Sequence, residues 1–347
     1  MSPDDRERAA GSPRRHFLAG SRRVVGQMMS LNSENRKRPG SFRLESLAVL
    51  VLLGAITSVL TPYFLSLGNI LNIFLATSVI GIIALGSTFV ISMAAIDLSV
   101  GSLLAVSAVF GALMIKPLGL PWPSAVIVSV VTGGLFGLVN GLLVTQARIP
   151  SFIVTLGMLG IARGLAYILT NGRAIYGLPD PLVFLGQGRI LGVPMPVIIF
   201  LALAVVAHMV LLHTRFGLHT LFIGDNIIAA RVTGLRIERH QAQVFALSGG
   251  LAGLAGLVQM GRINAADPSA GLLVELTAIT AAIIGGTNLF GGRGTIIGTL
   301  IGALIMGVIQ NGLNLMAVQS FYQQVVIGAV LIVAVWLDRL RAGGRGA

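Results

Sequence analysis

The 347-residue chain is 55% hydrophobic and only 10% charged, and its mean hydropathy is +0.90. This composition excludes a water-soluble enzyme of the same length. The formal net charge of +12 could suggest nucleic-acid binding. The basic residues, however, fall at predicted cytoplasmic membrane borders, where they fix topology and meet anionic lipid headgroups. We therefore expect membrane lipid, and no nucleic acid, among the partners.

Uncharged runs determine the predicted architecture, because residues 46–96 and 294–337 are each about twice as long as one membrane crossing. The pattern predicts an all-α polytopic membrane protein with about ten transmembrane helices. In chain order, the predicted spans are 46–66, 70–92, 99–118, 124–146, 151–170, 192–212, 242–260, 273–289, 295–315 and 321–337. They form one transmembrane domain, 46–338, between a disordered basic cytoplasmic tail, 1–45, and a cytoplasmic tail, 339–347.

The distribution of Lys and Arg predicts the orientation of the spans. An even number of crossings places both termini on one side, and that side carries 19 basic residues against four on the other. Positive residues accumulate in cytoplasmic loops, so both termini are predicted to be cytoplasmic.

The sequence lacks the residues that several kinds of chemistry require. The chain has no cysteine, so disulfides, thiol catalysis and Cys-ligated metals are excluded. Its only lysines, Lys37 and Lys116, follow Arg36 and Ile115, so the Gly-Lys-Ser/Thr sequence of a phosphate-binding loop is absent. The five histidines show no metal-ligand spacing. We predict no catalytic residue, no metal site and no cofactor in this chain.

Glycines repeat every four residues in the fourth and ninth predicted spans. This spacing lines one helix face with hydrogen atoms, so that a neighbouring backbone can approach closely in lipid. The interpretation is helix packing, with a moving passage as the alternative. The residues are Gly133, Gly137, Gly141, Gly294, Gly298 and Gly302.

Polar residues within apolar segments are candidates for a pathway or gate, because an unsatisfied charge in hydrocarbon is costly. Asp97 and Ser99 could instead cap the following helix. Arg163 needs a counter-charge, for which Glu275 and Asp97 are available. The amides could bond neighbouring helices or face a polar cavity. The candidates are Asp97, Ser99, Ser102, Asn140, Thr155, Arg163, Glu275, Thr287, Asn288, Asn311 and Asn314.

The longest internal cytoplasmic loop, 213–241, has the pattern of a short helix. Gly224-Asp225-Asn226 offers a turn or cap, residues 227–232 favour a helix, and Gly234 ends it. Such a helix could lie on the membrane surface or dock on a partner. Because the chain has no energy source of its own, docking on an ATPase is the hypothesis with the greater functional consequence.

Six segments in order resemble the inner-membrane permease subunits of bacterial ATP-binding-cassette importers for simple sugars, of the ribose, xylose and galactose type. The resemblance covers about residues 45–340. The segments are AIDLSVGS (95–102), PSFIVTLGM (150–158), ARGLAYILTNG (162–172), GDNIIAARVTGL (224–235), ELTAITAAIIGGTNLFGGRGT (275–295) and GALIMGVIQNGLNL (302–315).

The resemblance implies a non-catalytic subunit of the bacterial inner membrane that imports a monosaccharide by alternating access. Its implied partners are a second permease chain, a cytoplasmic ATPase that binds ATP and Mg, and a periplasmic sugar-binding protein. The residues implied in coupling to the ATPase are Gly224, Asp225, Asn226, Ala229, Ala230, Arg231 and Gly234.

Three departures from the family pattern bear on this expectation. Ile228 stands where such loops often carry Glu, Thr277 where Asp is usual, and Ala95 where Gly is frequent. The alternative function is a proton-coupled secondary sugar carrier, for which Asp97 and Glu275 are the available acids. Permeases for nucleosides, autoinducer sugars or polyols are rivals within the same machinery.

Overall fold

The computed structural model describes the backbone of residues 40–343 and the side chains of residues 44–340. The predicted tail 1–45 lies outside the described residues up to residue 39, and the first helix already begins at Gly40. The described residues from Glu45 onward form one compact unit. The helices are α1 Gly40–Leu60, α2 Leu67–Ser92, α3 Val100–Ile115, α4 Pro123–Thr145, α5 Ser151–Thr170, α6 Asp180–Gln187, α7 Met195–His213, α8 Arg215–Asp225, α9 Ile227–Val232, α10 Ile237–Ile263, α11 Val274–Ile284, α12 Ile296–Leu315 and α13 Ser320–Gly343.

Four two-residue strands, which the sequence did not predict, form two antiparallel pairs among the connections. Strand β1, Ile175–Tyr176, pairs with β4, Ala265–Ala266. Strand β2, Arg189–Ile190, pairs with β3, Val193–Pro194. The β1–β4 pair satisfies backbone groups where the chain leaves α10, next to the buried end of the bundle.

Seven of the described helices are long and apolar enough to cross a membrane: α2, α4, α5, α7, α10, α12 and α13. Three shorter apolar segments accompany them, Leu44–Leu60 in α1, then α3 and α11. Each of the ten predicted spans overlaps one of these helices. The polytopic helical class is confirmed, whereas the count of ten crossings and the orientation of the termini stay predictions.

The helix bounds differ from the prediction where charge and glycine were used as boundaries. Helix α10 extends from Ile237 to Ile263, beyond the predicted 242–260, because its first turn is held by packing rather than by hydropathy. Helix α11 ends at Ile284, before the predicted end at 289. Gly286 follows with φ +94°, a conformation that L side chains rarely adopt and that stops the helix.

Helices α2, α3 and α10 form the centre of the bundle. Nearly all of α2 from Thr77 to Ser92 is buried, as is most of α3. Helix α10 packs against α2, α3, α4 and α6. The fully buried side chains Phe89, Leu103, Phe245 and Leu257 belong to these three central helices.

The glycine faces lie against neighbouring backbones. A Cβ atom added at Gly133 or Gly137 would overlap the carbonyl oxygens of Gly249 and Phe245 in α10, and one added at Gly141 would meet Ala242. In the same way Gly298 and Gly302 of α12 face Gly285 and Ala281 at the end of α11, while Gly294 faces the Ser92 hydroxyl. Backbone contact of this kind provides the dispersion attraction on which helix association in lipid depends.

Two breaks interrupt the helical bundle. Residues 93–99 leave α2 and turn inward before α3 begins, with Asp97 only 2% exposed. Residues 285–295 form a glycine-rich connection between α11 and α12. Non-helical backbone at membrane depth is tolerated where protein surrounds it, and such breaks often mark transport sites.

Neighbouring glycines of α4 provide a direct test of backbone contact. We expect Gly133→Ala to lower the free energy of unfolding by about 1–3 kcal/mol, because its Cβ would overlap the backbone of α10. The matched control is Gly134→Ala, whose nearest atom outside its own helix would be the Ala246 carbonyl oxygen at 3.7 Å. This control should be neutral or slightly stabilising. Thermal unfolding of both purified variants in detergent measures the difference, and equal shifts would contradict the packing.

Candidate functional site

The short helix predicted over residues 227–232 is present as α9 with the same bounds. Asn226 is its N-cap, and its side-chain oxygen accepts a hydrogen bond of 2.9 Å from the Ala229 amide. After α9, Gly234 adopts φ +81° and lets the chain reverse into α10. Local sequence alone therefore specifies both ends of this helix.

One face of α9 is anchored and the other is free. Ala230 is fully buried and packs with Ile223 and Ile237, which belong to the helices on either side. On the opposite face, Ile228 is 74% exposed and Val232 is 83% exposed. Arg231, also on the exposed surface, forms an ion pair of 2.9 Å with Glu238. An apolar helix face held rigidly at a loop tip has the character of a docking surface.

Helix α8 connects this docking surface to the end of α2. A Cβ atom at Gly224 would overlap the Ser92 carbonyl oxygen and would lie 2.6 Å from the Gly292 amide nitrogen. The Gly292 amide donates a hydrogen bond of 2.9 Å to the Ser92 carbonyl. We call residues 288–294 the glycine turn. Gly224 therefore lies between the end of α2 and the glycine turn, without space for a side chain.

A buried polar contact joins α8 to α10. The Thr220 hydroxyl and the His240 Nε2 atom lie 2.8 Å apart, and both residues are buried. The Phe216 ring packs on the His240 ring with centroids 4.7 Å apart. The helices on both sides of α9 are thus fixed to each other, which makes the α8–α10 hairpin rigid around the docking helix.

A second group of functional candidates surrounds Asp97, and we call Asp97, Ser99, Asn140 and Ser248 the polar centre. Asp97 Oδ1 accepts hydrogen bonds from the Ser99 amide at 2.9 Å and from the Ser99 hydroxyl at 2.6 Å. The Asn140 side-chain amide donates to the Ser99 hydroxyl at 2.9 Å. The Ser248 hydroxyl of α10 lies 3.5 Å from Asp97 Oδ2. The polar centre therefore joins the α2–α3 break to α4 and α10.

The polar centre differs from simple helix capping. Ser99 precedes α3, but its side chain makes no capping hydrogen bond to the first turn of the helix. Its hydroxyl is instead used by Asp97 and Asn140, so the capping alternative is wrong for Ser99. Asn140 Oδ1 is buried and has no hydrogen-bond partner among the described residues. An unpaired buried acceptor of this kind retains the capacity to bind another donor.

Thr155 and Ser102 extend the surroundings of the polar centre. The Ile96 amide donates to the Ser151 hydroxyl at 3.3 Å, and the Thr155 hydroxyl lies 3.3 Å from the Ile96 carbonyl oxygen. These contacts hold the α2–α3 break against α5. Ser102 is buried in the first turn of α3. Sequence-distant candidates are thus brought together at one place in the bundle.

Arg163 and Glu275 lie apart from the polar centre. Arg163 Nη1 donates to the carbonyl oxygens of Pro268 and Ala270 at 2.6 and 2.7 Å, and it forms no ion pair with a described carboxylate. Among the described residues Arg163 makes no direct salt bridge with Glu275 or Asp97, although Glu275 is close enough to act as its counter-charge through a coulombic attraction. Glu275 is buried at the start of α11, where a Cβ at Gly101 would overlap its carboxylate.

The remaining candidates are dispersed. Asn311 and Asn69 form two reciprocal side-chain hydrogen bonds of 2.8 and 3.0 Å, which join α12 to α2. Asn314 is exposed and accepts a hydrogen bond of 2.8 Å from Gln323. Thr287 is buried with an unpartnered hydroxyl, and Asn288 accepts the Phe290 amide at 2.9 Å. None of these four lies in direct contact with the polar centre in the hydrogen bonds of the described region.

Sequence reasoning missed Ser248, Asn69, Thr220 and His240. Thr220 adjoins His219, and His240 lies in the polar run 238–241, where a polar residue does not stand out. Ser248 and Asn69 are polar residues within glycine-rich or apolar stretches, which is the same signal that identified Asn140 and Asp97. For these two the signal was therefore present, but one sequence gives no means of pairing such residues across the bundle.

Several long apolar helices, with buried non-helical breaks between them, define the class of this molecule as a multi-pass membrane protein. A family model described as "Branched-chain amino acid transport system / permease component" matches residues 69–335. The chain belongs to this family of permease components.

Curated relatives agree with this assignment over nearly their full length. The ribose import permease protein RbsC of Haemophilus influenzae is 40% identical over 89% of this chain and 98% of that protein. The ribose import permease protein RbsC of Bacillus subtilis is 45% identical over 84% and 91%, respectively. The D-allose transport system permease protein AlsC of Escherichia coli is 39% identical over 88% and 96%. No solved structure shows a significant match to the chain. The resemblance to permeases of sugar importers is confirmed.

The polar centre can be tested through two serines, Ser99 just before α3 and Ser107 in the middle of α3. We expect Ser99→Ala to lower the free energy of unfolding by about 1–3 kcal/mol, since it leaves the buried Asn140 amide and one Asp97 bond unpaired. Ser107→Ala is the matched control, because the Ser107 hydroxyl is buried without a partner. Thermal unfolding in detergent measures both. A loss of similar size in the control would contradict the polar centre.

Proposed function

We propose that this chain is the membrane-spanning permease of an ATP-driven importer of monosaccharides in the bacterial inner membrane. The observation that carries the proposal is α9, a rigid helix with an exposed apolar face on a chain that lacks any phosphate-binding loop. An ATP-driven transporter without its own nucleotide site needs a separate ATPase, and α9 offers that ATPase a surface to bind.

The proposed assembly contains two permease chains, a cytoplasmic ATPase that binds ATP and Mg, and a periplasmic sugar-binding protein. The names of the relatives, ribose and D-allose permeases, support this composition. The docking residues proposed from the sequence cluster at one loop tip, with Ala230 as the anchor and Asn226 as the cap. A rigid contact of this kind suits a rigid-body transition driven by the ATPase.

The substrate class proposed is a neutral sugar, a ribose-type pentose or a close relative. Sugar hydroxyls pair with amide and hydroxyl side chains, and the polar centre supplies both types. The path opens alternately to the two sides, with ten membrane crossings and cytoplasmic termini in the proposed topology.

A second candidate function is a proton-coupled sugar carrier. The observation that favours it is Asp97, a carboxylate buried among hydroxyls and without a basic partner in the described residues. Intramembrane carboxylates of this type serve as proton sites in secondary carriers. The two candidates differ in their energy source, which can be measured directly.

Uptake of a panel of labelled monosaccharides tests the proposal in cells with and without this gene. We expect uptake to require both the permease and the phosphate-binding lysine of the partner ATPase, because the chain has no nucleotide site. Uptake that survives substitution of that lysine would instead favour the proton-coupled carrier. A matched strain without the periplasmic binding protein shows whether the sugar is delivered by it.

The docking face can be tested with Val232→Arg. A charged, longer side chain at this exposed apolar position should weaken co-purification of the ATPase by tenfold or more, equivalent to about 1.4 kcal/mol. Leu191→Arg is the control, because Leu191 is a fully exposed apolar residue in the β2–β3 turn, away from the loop of α9. Equal ATPase recovery with both variants would argue against docking on α9.

A further inference from the structure

The glycine turn lies directly beside the docking helix. A Cβ atom at Gly291 would lie 2.7 Å from the Gly224 carbonyl oxygen, and one at Gly292 would lie 3.0 Å from the Asp225 Cα atom. Asp225 is followed by Asn226, the N-cap of α9. The glycine turn and the start of α9 therefore form one continuous surface, although 60 or more residues separate them in sequence.

Within this turn, Phe290 is a large apolar side chain that is 57% exposed. Hydrogen bonds within the glycine turn fix the backbone of Phe290, so the ring cannot turn inward. The Phe290 amide donates to Asn288 Oδ1 at 2.9 Å, and the Asn288 amide donates to the Arg293 carbonyl at 3.1 Å. Gly291 and Gly292 then adopt φ +85° and +75°. The turn thus holds an exposed aromatic ring on a fixed backbone.

The turn is also tied to several helices. The Leu289 amide donates to Asp338 in α13 at 3.3 Å. The Gly292 amide donates to the Ser92 carbonyl at the end of α2. By sequence the turn connects α11 to α12, whose backbones meet at Gly285 and Gly298. A displacement of Phe290 would therefore act on four helices, α2, α11, α12 and α13.

We infer that Phe290 is a second docking point for the same cytoplasmic ATPase that binds α9. This inference rests on the proposed function, and its argument is the continuity between the glycine turn and the α9 surface. Aromatic anchors contribute disproportionately to protein interfaces when a partner pocket excludes water from them. The partner chemistry is an apolar recess on the ATPase next to the groove that receives α9. An insertion of Phe290 into the lipid headgroup region is the competing outcome of the test.

Because the sequence contains no cysteine, one introduced cysteine provides a unique site for crosslinking. The variants Ile228→Cys, Phe290→Cys and Leu191→Cys would each carry a single thiol. Each permease is labelled with a benzophenone maleimide in lipid nanodiscs, mixed with its ATPase subunit and irradiated. Mass spectrometry then identifies adducts with the chain that carries the Gly-x-x-x-x-Gly-Lys-Ser/Thr sequence.

The expected result is an ATPase adduct from positions 228 and 290, and none from position 191. An ATPase adduct from position 228 together with only lipid adducts from position 290 overturns this inference and leaves the proposed function intact. Loss of the ATPase adduct at both positions overturns both.

Two substitutions at Phe290 distinguish a loss of ATPase binding from a loss of folding. Phe290→Ala should weaken ATPase binding by about tenfold, the loss expected for an interface aromatic. Phe290→Leu should retain most of the binding, because it keeps an apolar side chain at the same place. Unchanged binding in Phe290→Ala, with unchanged thermal unfolding, overturns the inference.

Discussion

The close approach of α10 to α4 is the contact on which the rest of the structure depends. Lipid supplies no hydrophobic force between helices, so association relies on dispersion between surfaces that can touch. Gly133 and Gly137 remove the side chains from one surface, and Gly249 and Gly253 remove them from the other. The two backbones meet directly. Because α10 also contacts α2, α3 and α6, this one interface fixes the position of the central helix and of every residue it carries.

Both functional regions use that fixed helix. Near its beginning, His240 joins Thr220 and holds α8 beside the docking helix. Just before the midpoint of α10, Ser248 reaches Asp97 in the α2–α3 break. The same helix therefore supports both the loop that carries α9 and the buried polar centre. Such an arrangement suits a transporter in which a partner outside the membrane must influence a site within it, provided that the break can adopt two arrangements.

The sequence predicted features that depend on local pattern and missed those that depend on long-range pairing. Hydropathy located the ten apolar helices that match predicted spans. Local cap chemistry gave the bounds of α9, since Asn226 and Gly234 act on neighbouring residues. The partners of Arg163 could not be predicted in this way. They are backbone carbonyls of Pro268 and Ala270, more than 100 residues distant, and every residue type carries a carbonyl. Ser248 was missed for a related reason, because one serine among glycines gives no indication of the carboxylate it will face.

The glycines around position 224 illustrate a packing constraint that composition alone does not show. Gly224 was predicted as part of a turn, but α8 continues through it to Asp225, and its importance lies in contact with Ser92 and Gly292. The carbonyl of Ser92 accepts the Gly292 amide, and Asp97 follows five residues later in the same break. Because no side chain lies between them, α8, the glycine turn and the end of α2 are in direct backbone contact and cannot move independently. A displacement of α9 must therefore move the backbone that leads into the polar centre or separate these contacts. Glycine at position 224 is required by this closeness, and a helix-propensity argument would have favoured almost any other residue there.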